Sequence, residues 1–253
     1  MTASFVMRFF YIYSVVQLLK ILIQAGLWLF CNKIHLKNKR LFKTKGPLLI
    51  IGNHPNSFLD ALIIGSYYKR RVYFLARGDA FKKPIHRFLL ESLNMIPVYR
   101  LREGKEFLHL NDYAFSRSIE LLSKGYAVLI FIEGICVNSN ELQPFKKGTA
   151  RILEGIQKLN INPTVHLAGI AFNQFRGIGK IVNLVVTEMT TIPKIENSRD
   201  RVLFNQLVFD QLKQNILIPL IDGMCIIDDM RRSVELALEQ WRVRSGRKPL
   251  VVL

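Results

Sequence analysis

A histidine and a carboxylate lie close together in the segment Asn53–Asp60, directly after the apolar run 47–52. An imidazole takes up a proton near neutral pH, and a neighbouring carboxylate orients the ring and stabilises the imidazolium. No serine or cysteine with supporting partners stands out in the sequence as a competing nucleophile. We therefore expect His54 to act as a general base on a substrate hydroxyl, with Asp60 as its partner.

Five residues separate the histidine from the aspartate. On one continuous helix this separation would turn the two side chains onto different faces. Pro55 disfavours a helical conformation at the histidine, and Asn56 or Ser57 can serve as an N-cap. The spacing therefore predicts a loop followed by a helix that begins at Phe58. Ser57 and Asp60 also fit a capping box, so Asp60 has an alternative structural role, and the two roles can coexist.

Apolar runs alternate with helix-like segments from residue 48 onwards. The predicted strands are 48–51, 72–76, 95–99, 127–132, 165–172 and 181–186. The predicted helices are 58–68, 83–93, 111–123, 150–159, 199–214 and 229–243. Continuous Ile, Leu and Val strands between helices are typical of a sheet buried on both faces. The sequence thus predicts an α/β fold with a mixed, mainly parallel sheet flanked by helices.

The N-terminal segment has the composition of a membrane-associated helix. Residues 5–30 are nearly all apolar, and Arg8 and Lys20 interrupt them. Their charge-free runs are shorter than the ~18–20 residues of a simple span, so we predict a helix lying in one leaflet. A tilted single span and a soluble core helix are the alternatives. A basic run follows at 33–45, which we expect to face anionic headgroups on the cytoplasmic side. We therefore divide the chain into a membrane-associated segment, 1–45, and a second domain, 46–253.

The chain is strongly basic, with a formal net charge of +17 over 253 residues. This excess favours an anionic partner, such as a membrane surface, a nucleic acid or an acidic substrate. Lysines and arginines are dispersed and no nucleic-acid motif is present, so we expect no nucleic-acid partner. The cysteines Cys31, Cys136 and Cys225 have neither disulfide nor metal-ligand spacing. We expect a reducing setting, no metal and no bound cofactor, with Cys136 as a packing thiol.

Four segments together resemble the glycerolipid acyltransferases of the lysophosphatidic-acid acyltransferase type. They are Asn53–Asp60; Phe74–Arg77 with Phe81–Pro84, leading to Ile96–Arg100; Phe131–Gly134, followed by Leu142–Ala150; and the weaker His166–Ile170. The resemblance implies transfer of a fatty acyl group from acyl-CoA or acyl-carrier protein, as co-substrate, to a lysolipid hydroxyl at a membrane surface. The thioester is already activated, so this chemistry needs a base and oxyanion donors but no enzyme nucleophile.

We predict that further residues bind substrate. Glu133 and Gly134 follow a predicted strand, at the edge where open α/β sheets bind ligands. We expect Glu133 either to bind the acceptor hydroxyl or to cap the following loop, and Gly134 to permit a tight turn or close approach. Arg100 follows a short strand, and Lys146 and Lys147 precede a helix. These three cations are our candidate ligands for a phosphate or a carboxylate.

Two departures from the family pattern bear on function. The commoner pattern has four residues between the histidine and the aspartate, although some glycerolipid acyltransferases resemble the longer spacing found here. Similar proteins often carry Thr-Arg-Ser after the Glu-Gly pair, where this chain has Ile135-Cys136-Val137. A cation expected near an acceptor phosphate is therefore missing. We expect the acceptor to be 1-acylglycerol-3-phosphate or a lyso-aminolipid whose carboxylate meets Arg100.

Two other functions stay open at this point. One is a non-catalytic lipid- or nucleic-acid-binding module, which the net charge favours. The other is a degenerate acyltransferase that binds lipid without turnover, which the longer spacing suggests.

Overall fold

A computed structural model of the chain describes residues 21–99 and 110–219. The described residues up to 216 belong to one compact unit, and residues 217–219 belong to a second. The elements given below belong to the first unit, apart from the last residues of the final helix.

Seven strands form one sheet within the described residues. They are β1 (Cys31–Lys37), β2 (Leu48–Gly52), β3 (Val72–Arg77), β4 (Met95–Val98), β5 (Ala127–Phe131), β6 (Thr164–Phe172) and β7 (Lys180–Glu188). Their order is β1-β7-β6-β2-β5-β3-β4, and every neighbouring pair is parallel except β6 and β7. The predicted mixed, mainly parallel sheet is therefore confirmed.

Helices cover both faces of this sheet. They are α1 (21–30), α2 (Phe58–Tyr67), α3 (Pro84–Ser92), α4 (Leu110–Ser123), α5 (Gly148–Gln157) and α6 (Ser198–Pro219), with 3-10 turns at Lys39–Lys43 and Gly78–Phe81. The five helices predicted between residues 58 and 214 are confirmed. The helix predicted at 229–243 lies outside the described residues.

The central strand β2 shows why the strand sequences are continuously apolar. Leu49 and Ile51 are fully buried in a core formed with α4, α5 and α6. Leu48 and Ile50 are fully buried in a second core, formed with α1 and α2 on the other face. Each such side chain contributes about 1.5–3 kcal/mol on burial. A strand with a core on each face has no position for a polar residue, which explains the absence of alternation.

The basic segment after α1 differs from its prediction. The basic pattern predicts no strand here, yet Cys31–Lys37 form β1, an edge strand that pairs with β7. Ile34 and Leu36 are half-buried, whereas Lys33 and His35 between them are exposed. Part of segment 1–45 thus belongs to the same sheet as the second predicted domain, and the domain boundary stays a prediction.

The predicted membrane helix lies partly outside the described residues. Residues 1–20 are outside them, and residues 21–30 form α1. No helix in the described ranges combines the length and the apolar character needed to cross a bilayer.

One edge of the sheet gathers the loops that carry the candidate residues. The carboxyl ends of β2 to β6 lie there, together with the amino ends of β1 and β7, which run the opposite way. We call this the site edge; its loops are 53–57, 78–83, 132–147 and 173–179.

Candidate active site

The loop after β2 brings the predicted pair together. Nδ1 of His54 lies 3.0 Å from Oδ2 of Asp60. The aspartate is in the first turn of α2 and its side chain is fully buried, whereas the histidine side chain is 20% exposed. The predicted loop followed by a helix from Phe58 is confirmed. The five-residue spacing therefore still allows the two side chains to meet.

Asp60 also holds its own loop. The same oxygen, Oδ2, accepts a hydrogen bond of 2.7 Å from the backbone N–H of Asn56. Asp60 thus holds the loop before α2 and contacts His54 at the same time, although the predicted capping box with Ser57 does not form. Ser57, at the N-cap, makes no capping hydrogen bond and has φ 49° and ψ −123°. A non-glycine residue in this conformation costs on the order of 1–3 kcal/mol, so the surrounding contacts must hold the loop in this shape.

The surroundings of Asp60 determine which ring nitrogen can act as a base. Burial raises the pKa of this carboxyl group, whereas the hydrogen bonds from His54 and Asn56 oppose that rise. An ionised carboxylate only accepts hydrogen bonds, so Nδ1 then carries the ring proton and Nε2 presents its lone pair. Within the described part of the chain, Nε2 has no hydrogen-bond partner. Nε2 is the atom that can take a proton from a substrate.

An aromatic ring supports the histidine from one side. Phe131, the last residue of β5, stacks on His54 with ring centroids 3.9 Å apart and planes 11° apart. The sheet register pairs Phe131 with Gly52, the residue that ends β2. A Cβ at that glycine would lie 3.4 Å from the phenyl ring, so the ring packs directly over the glycine.

Glu133 joins the two loops that flank the site. Its Oε2 accepts the backbone N–H of His54 at 3.3 Å, and its Oε1 accepts the backbone N–H of Gln143 at 3.3 Å. The residue is only 2% exposed, and burial raises the pKa of its carboxyl group. This geometry favours the alternative of a loop-capping carboxylate. A contact with the acceptor hydroxyl stays a prediction.

The remaining predicted residues divide into three groups. Gly134 has φ 62°, and a Cβ there would lie 3.0 Å from Cγ of Lys146, so this exposed lysine crosses directly over the glycine. Lys147 is exposed at the start of α5, and no hydrogen bond joins its side chain to the other described site residues. Arg100 lies outside the described residues.

Two asparagines at the site edge were not predicted as functional. Asn53 bonds both backbone groups of Ile170, with its Nδ2 donating at 2.9 Å and its Oδ1 accepting at 2.8 Å. Asn140 does the same with Phe172, at 2.8 and 3.0 Å. The two amides continue the hydrogen bonding of β6 beyond the end of β2. The position of Asn53 beside the histidine could have indicated a role in the site. No sequence pattern indicated a role for Asn140.

Cys136 stands where similar proteins often carry arginine. Its Sγ accepts the backbone N–H of Ser57 at 3.0 Å, so the side chain reaches the start of α2. The residue is exposed, but desolvation of its sulfur raises the pKa of this thiol, which keeps it protonated and weakly nucleophilic at neutral pH. Its role as a packing thiol stays a prediction. Among residues 21–99 and 110–219, no group of three His, Cys, Asp or Glu side chains is placed to hold a metal ion.

Comparisons with known proteins show the family of this chain. The model of the Acyltransferase family matches residues 33–167, more than half of the chain. The 1-acyl-sn-glycerol-3-phosphate acyltransferase BAT2 of Brassica napus, a chloroplastic protein, is 30% identical over 109 residues. That alignment covers 42% of this chain and 29% of the relative, so the chain spans less than a third of its length.

The fold has a relative among solved structures. The crystal structure of PlsC, the 1-acyl-sn-glycerophosphate acyltransferase of Thermotoga maritima, matches with a TM-score of 0.57 and covers 82% of both chains. The sequences are 16% identical, so this likeness concerns the fold alone. By its family match over residues 33–167, the chain belongs to the Acyltransferase family.

Proposed function

We propose that this protein transfers a fatty acyl group from an acyl thioester to the hydroxyl of a lysolipid. The observation that carries the proposal is the pair of His54 and Asp60, with Nδ1 bound to the carboxylate and Nε2 left for substrate. In the reaction, Nε2 takes the hydroxyl proton while the hydroxyl oxygen attacks the thioester carbonyl. The carbon–sulfur bond then breaks, and the imidazolium returns the proton to the leaving sulfur.

The rate enhancement that this step needs can come from His54 and Asp60. General-base assistance by a positioned histidine contributes about 10²–10⁴-fold in rate. A buried carboxylate beside the ring stabilises the imidazolium that forms during the attack. The thioester needs no covalent enzyme intermediate, and the thiol of Cys136, with its raised pKa, is poorly suited to form one.

We propose two classes of acceptor. The names of the Brassica napus and Thermotoga maritima proteins support a 1-acylglycerol-3-phosphate. The cysteine at the position often held by arginine supports a lyso-aminolipid, for example an acylated amino acid with a free hydroxyl. Lys146, which crosses over Gly134, can pair with either a phosphate or a carboxylate.

The net charge supports the proposed donor and location. Acyl-CoA and acyl-carrier protein are both anionic, and the net charge of +17 favours either one. We place the protein at the cytoplasmic face of a membrane, where its lysolipid acceptor resides. The apolar N-terminal segment and the basic residues that follow it support this location.

The test is an assay of the purified full chain. Lysophosphatidate and a hydroxyl-bearing acylated amino acid are each supplied with acyl-CoA or with acyl-carrier protein, and products are identified by mass spectrometry. We expect an ester product and release of one free thiol for each ester formed. No product with any pair, from a protein that still binds lipid vesicles, would favour the non-catalytic module or the degenerate enzyme. A strong preference for lysophosphatidate would exclude the aminolipid acceptor.

A further inference from the structure

Helix α3 presents an apolar face that nothing in the described structure covers. None of its residues is buried. Ile85, Phe88 and Leu89 are 79%, 75% and 56% exposed. Their spacing of three and four residues places them on one side of the helix. A continuous patch of large apolar side chains on a surface marks a site of interaction with another apolar body.

The charged residues near this face indicate which kind of partner it binds. Lys82 and Lys83 are exposed directly before α3; within the helix the exposed Arg87 lies on the side opposite Ile85 and Leu89, and Glu91 is the single acidic residue. A helix that combines large apolar side chains with lysine and arginine is typical of elements that lie in an anionic lipid interface. The cations complement anionic headgroups, and the apolar face fits the acyl region beneath them.

The position of α3 relates this face to the candidate active site. The helix follows β3 through the turn Gly78–Phe81, so it begins at the site edge. Helix α1 enters β1 at the same edge and exposes Trp28 and Leu29 there. The connection between β6 and β7 adds the exposed Ile178. Three separate segments therefore present apolar side chains at the one edge of the sheet that holds His54 and Asp60.

We propose that α3 docks on an anionic bilayer. Ile85, Phe88 and Leu89 enter the acyl region, while Lys82 and Lys83 contact the headgroups. Docking at this edge orients the candidate active site toward the bilayer. A lysolipid can then reach the histidine directly from the lipid surface. The inference extends the proposed function, because a water-soluble acceptor would not need such a surface.

The test measures binding of the full chain to vesicles of phosphatidylcholine that contain phosphatidylglycerol. We expect the triple variant Ile85→Ser, Phe88→Ser, Leu89→Ser to bind at least about tenfold more weakly than the wild-type chain. A control variant carries serine at Leu159, Val202 and Leu203, which are similarly exposed apolar residues outside α1, α3 and the β6–β7 connection. It should bind as the wild-type chain does. Replacing Lys82 and Lys83 by glutamine should weaken binding to these vesicles by about fivefold per charge, and binding to pure phosphatidylcholine much less.

A second readout covers the case in which another segment dominates binding. Vesicles should slow hydrogen exchange of peptides that span Pro84–Ser92 in the wild-type chain. Slower exchange there would support docking of α3 even if the variant and its control bind equally, whereas unchanged exchange would overturn the proposal. A dimer of the wild-type chain that the α3 variant fails to form would overturn it in favour of a second copy as the occupant.

An activity assay distinguishes a failure of the docking inference from a failure of the proposed function. With a short-chain acceptor kept below its micelle concentration, the α3 variant should turn over at the wild-type rate. If neither protein turns over but vesicle binding still depends on α3, the proposed function fails and the docking inference stands.

Discussion

The ring of His54 lies face to face with the ring of Phe131, with their centroids 3.9 Å apart. Asp60 binds the same imidazole at its edge, through Nδ1. One contact restrains the tilt of the ring and the other restrains its rotation. Together they fix the direction in which Nε2 points, before any substrate binds.

Replacing Phe131 by leucine tests the first of these restraints. An aromatic pair contributes about 0.5–1.5 kcal/mol beyond its buried area, so we expect kcat to fall by about two- to tenfold. KM should change little, because the ring is a positioning contact. The control is Phe145→Leu, which removes the contact with Phe209 at 5.4 Å and none with the histidine. Equal kcat values in the two variants would contradict this role.

Glu133→Gln tests whether this carboxylate caps the loops. Glutamine keeps the shape but offers one acceptor oxygen, so one of the two backbone N–H groups loses its partner. A buried donor without an acceptor costs about 1–3 kcal/mol, which chemical denaturation would measure as a lower free energy of unfolding. Glu141→Gln, in the same loop and exposed, should leave stability unchanged. Wild-type stability with a raised KM for the acceptor would instead identify Glu133 as a substrate ligand.

Asn53→Ala and Asn140→Ala form a matched pair. Each removes two hydrogen bonds to the backbone of β6, and we expect each to lower the free energy of unfolding by about 1–3 kcal/mol. Asn53 directly precedes His54, so only its replacement should also lower kcat substantially. Steady-state kinetics on both variants, at a temperature where each is folded, would show the difference. A similar loss of kcat in both would mean that Asn53 has no special part in placing the histidine.

His166 makes stability depend on pH. Its Nδ1 lies 2.9 Å from the hydroxyl of Tyr68, and burial lowers its pKa to about 4. The unfolded chain, with a histidine pKa near 6.5, therefore binds a proton that the folded chain does not. From pH 7 to pH 5 this difference should lower the free energy of unfolding by about 2 kcal/mol. Denaturation of His166→Gln should show a shallower pH dependence, and an unchanged slope would contradict the assignment.

Local sequence patterns predicted much of this structure. The apolar strands and the helices between residues 58 and 214 follow from burial on both faces of a sheet. Pro55 and the spacing to Asp60 predicted the loop and helix start around the histidine. We did not predict β1, because the basic residues in this segment were interpreted as a membrane-facing run. Its strand pattern is nevertheless present, since Ile34 and Leu36 alternate with Lys33 and His35.

Other features depend on contacts between residues far apart in the chain. The stacking of Phe131 on His54 requires the register of β2 and β5. The role of Asn140 depends on where β2 ends beside β6, which no local pattern encodes. The same is true of the thiol of Cys136 at the start of α2.

The most direct measurement is the rate of acyl transfer by His54→Ala and Asp60→Asn, each shown to be folded. Loss of the general base should lower kcat by about 10²–10⁴-fold for His54→Ala. Asp60→Asn should also lower kcat, because an amide cannot stabilise the imidazolium as a carboxylate does. The control His35→Ala, at an exposed position on β1, should retain wild-type activity. If His54→Ala retained most of the wild-type rate, the imidazole would not be the base and the proposed mechanism would be wrong.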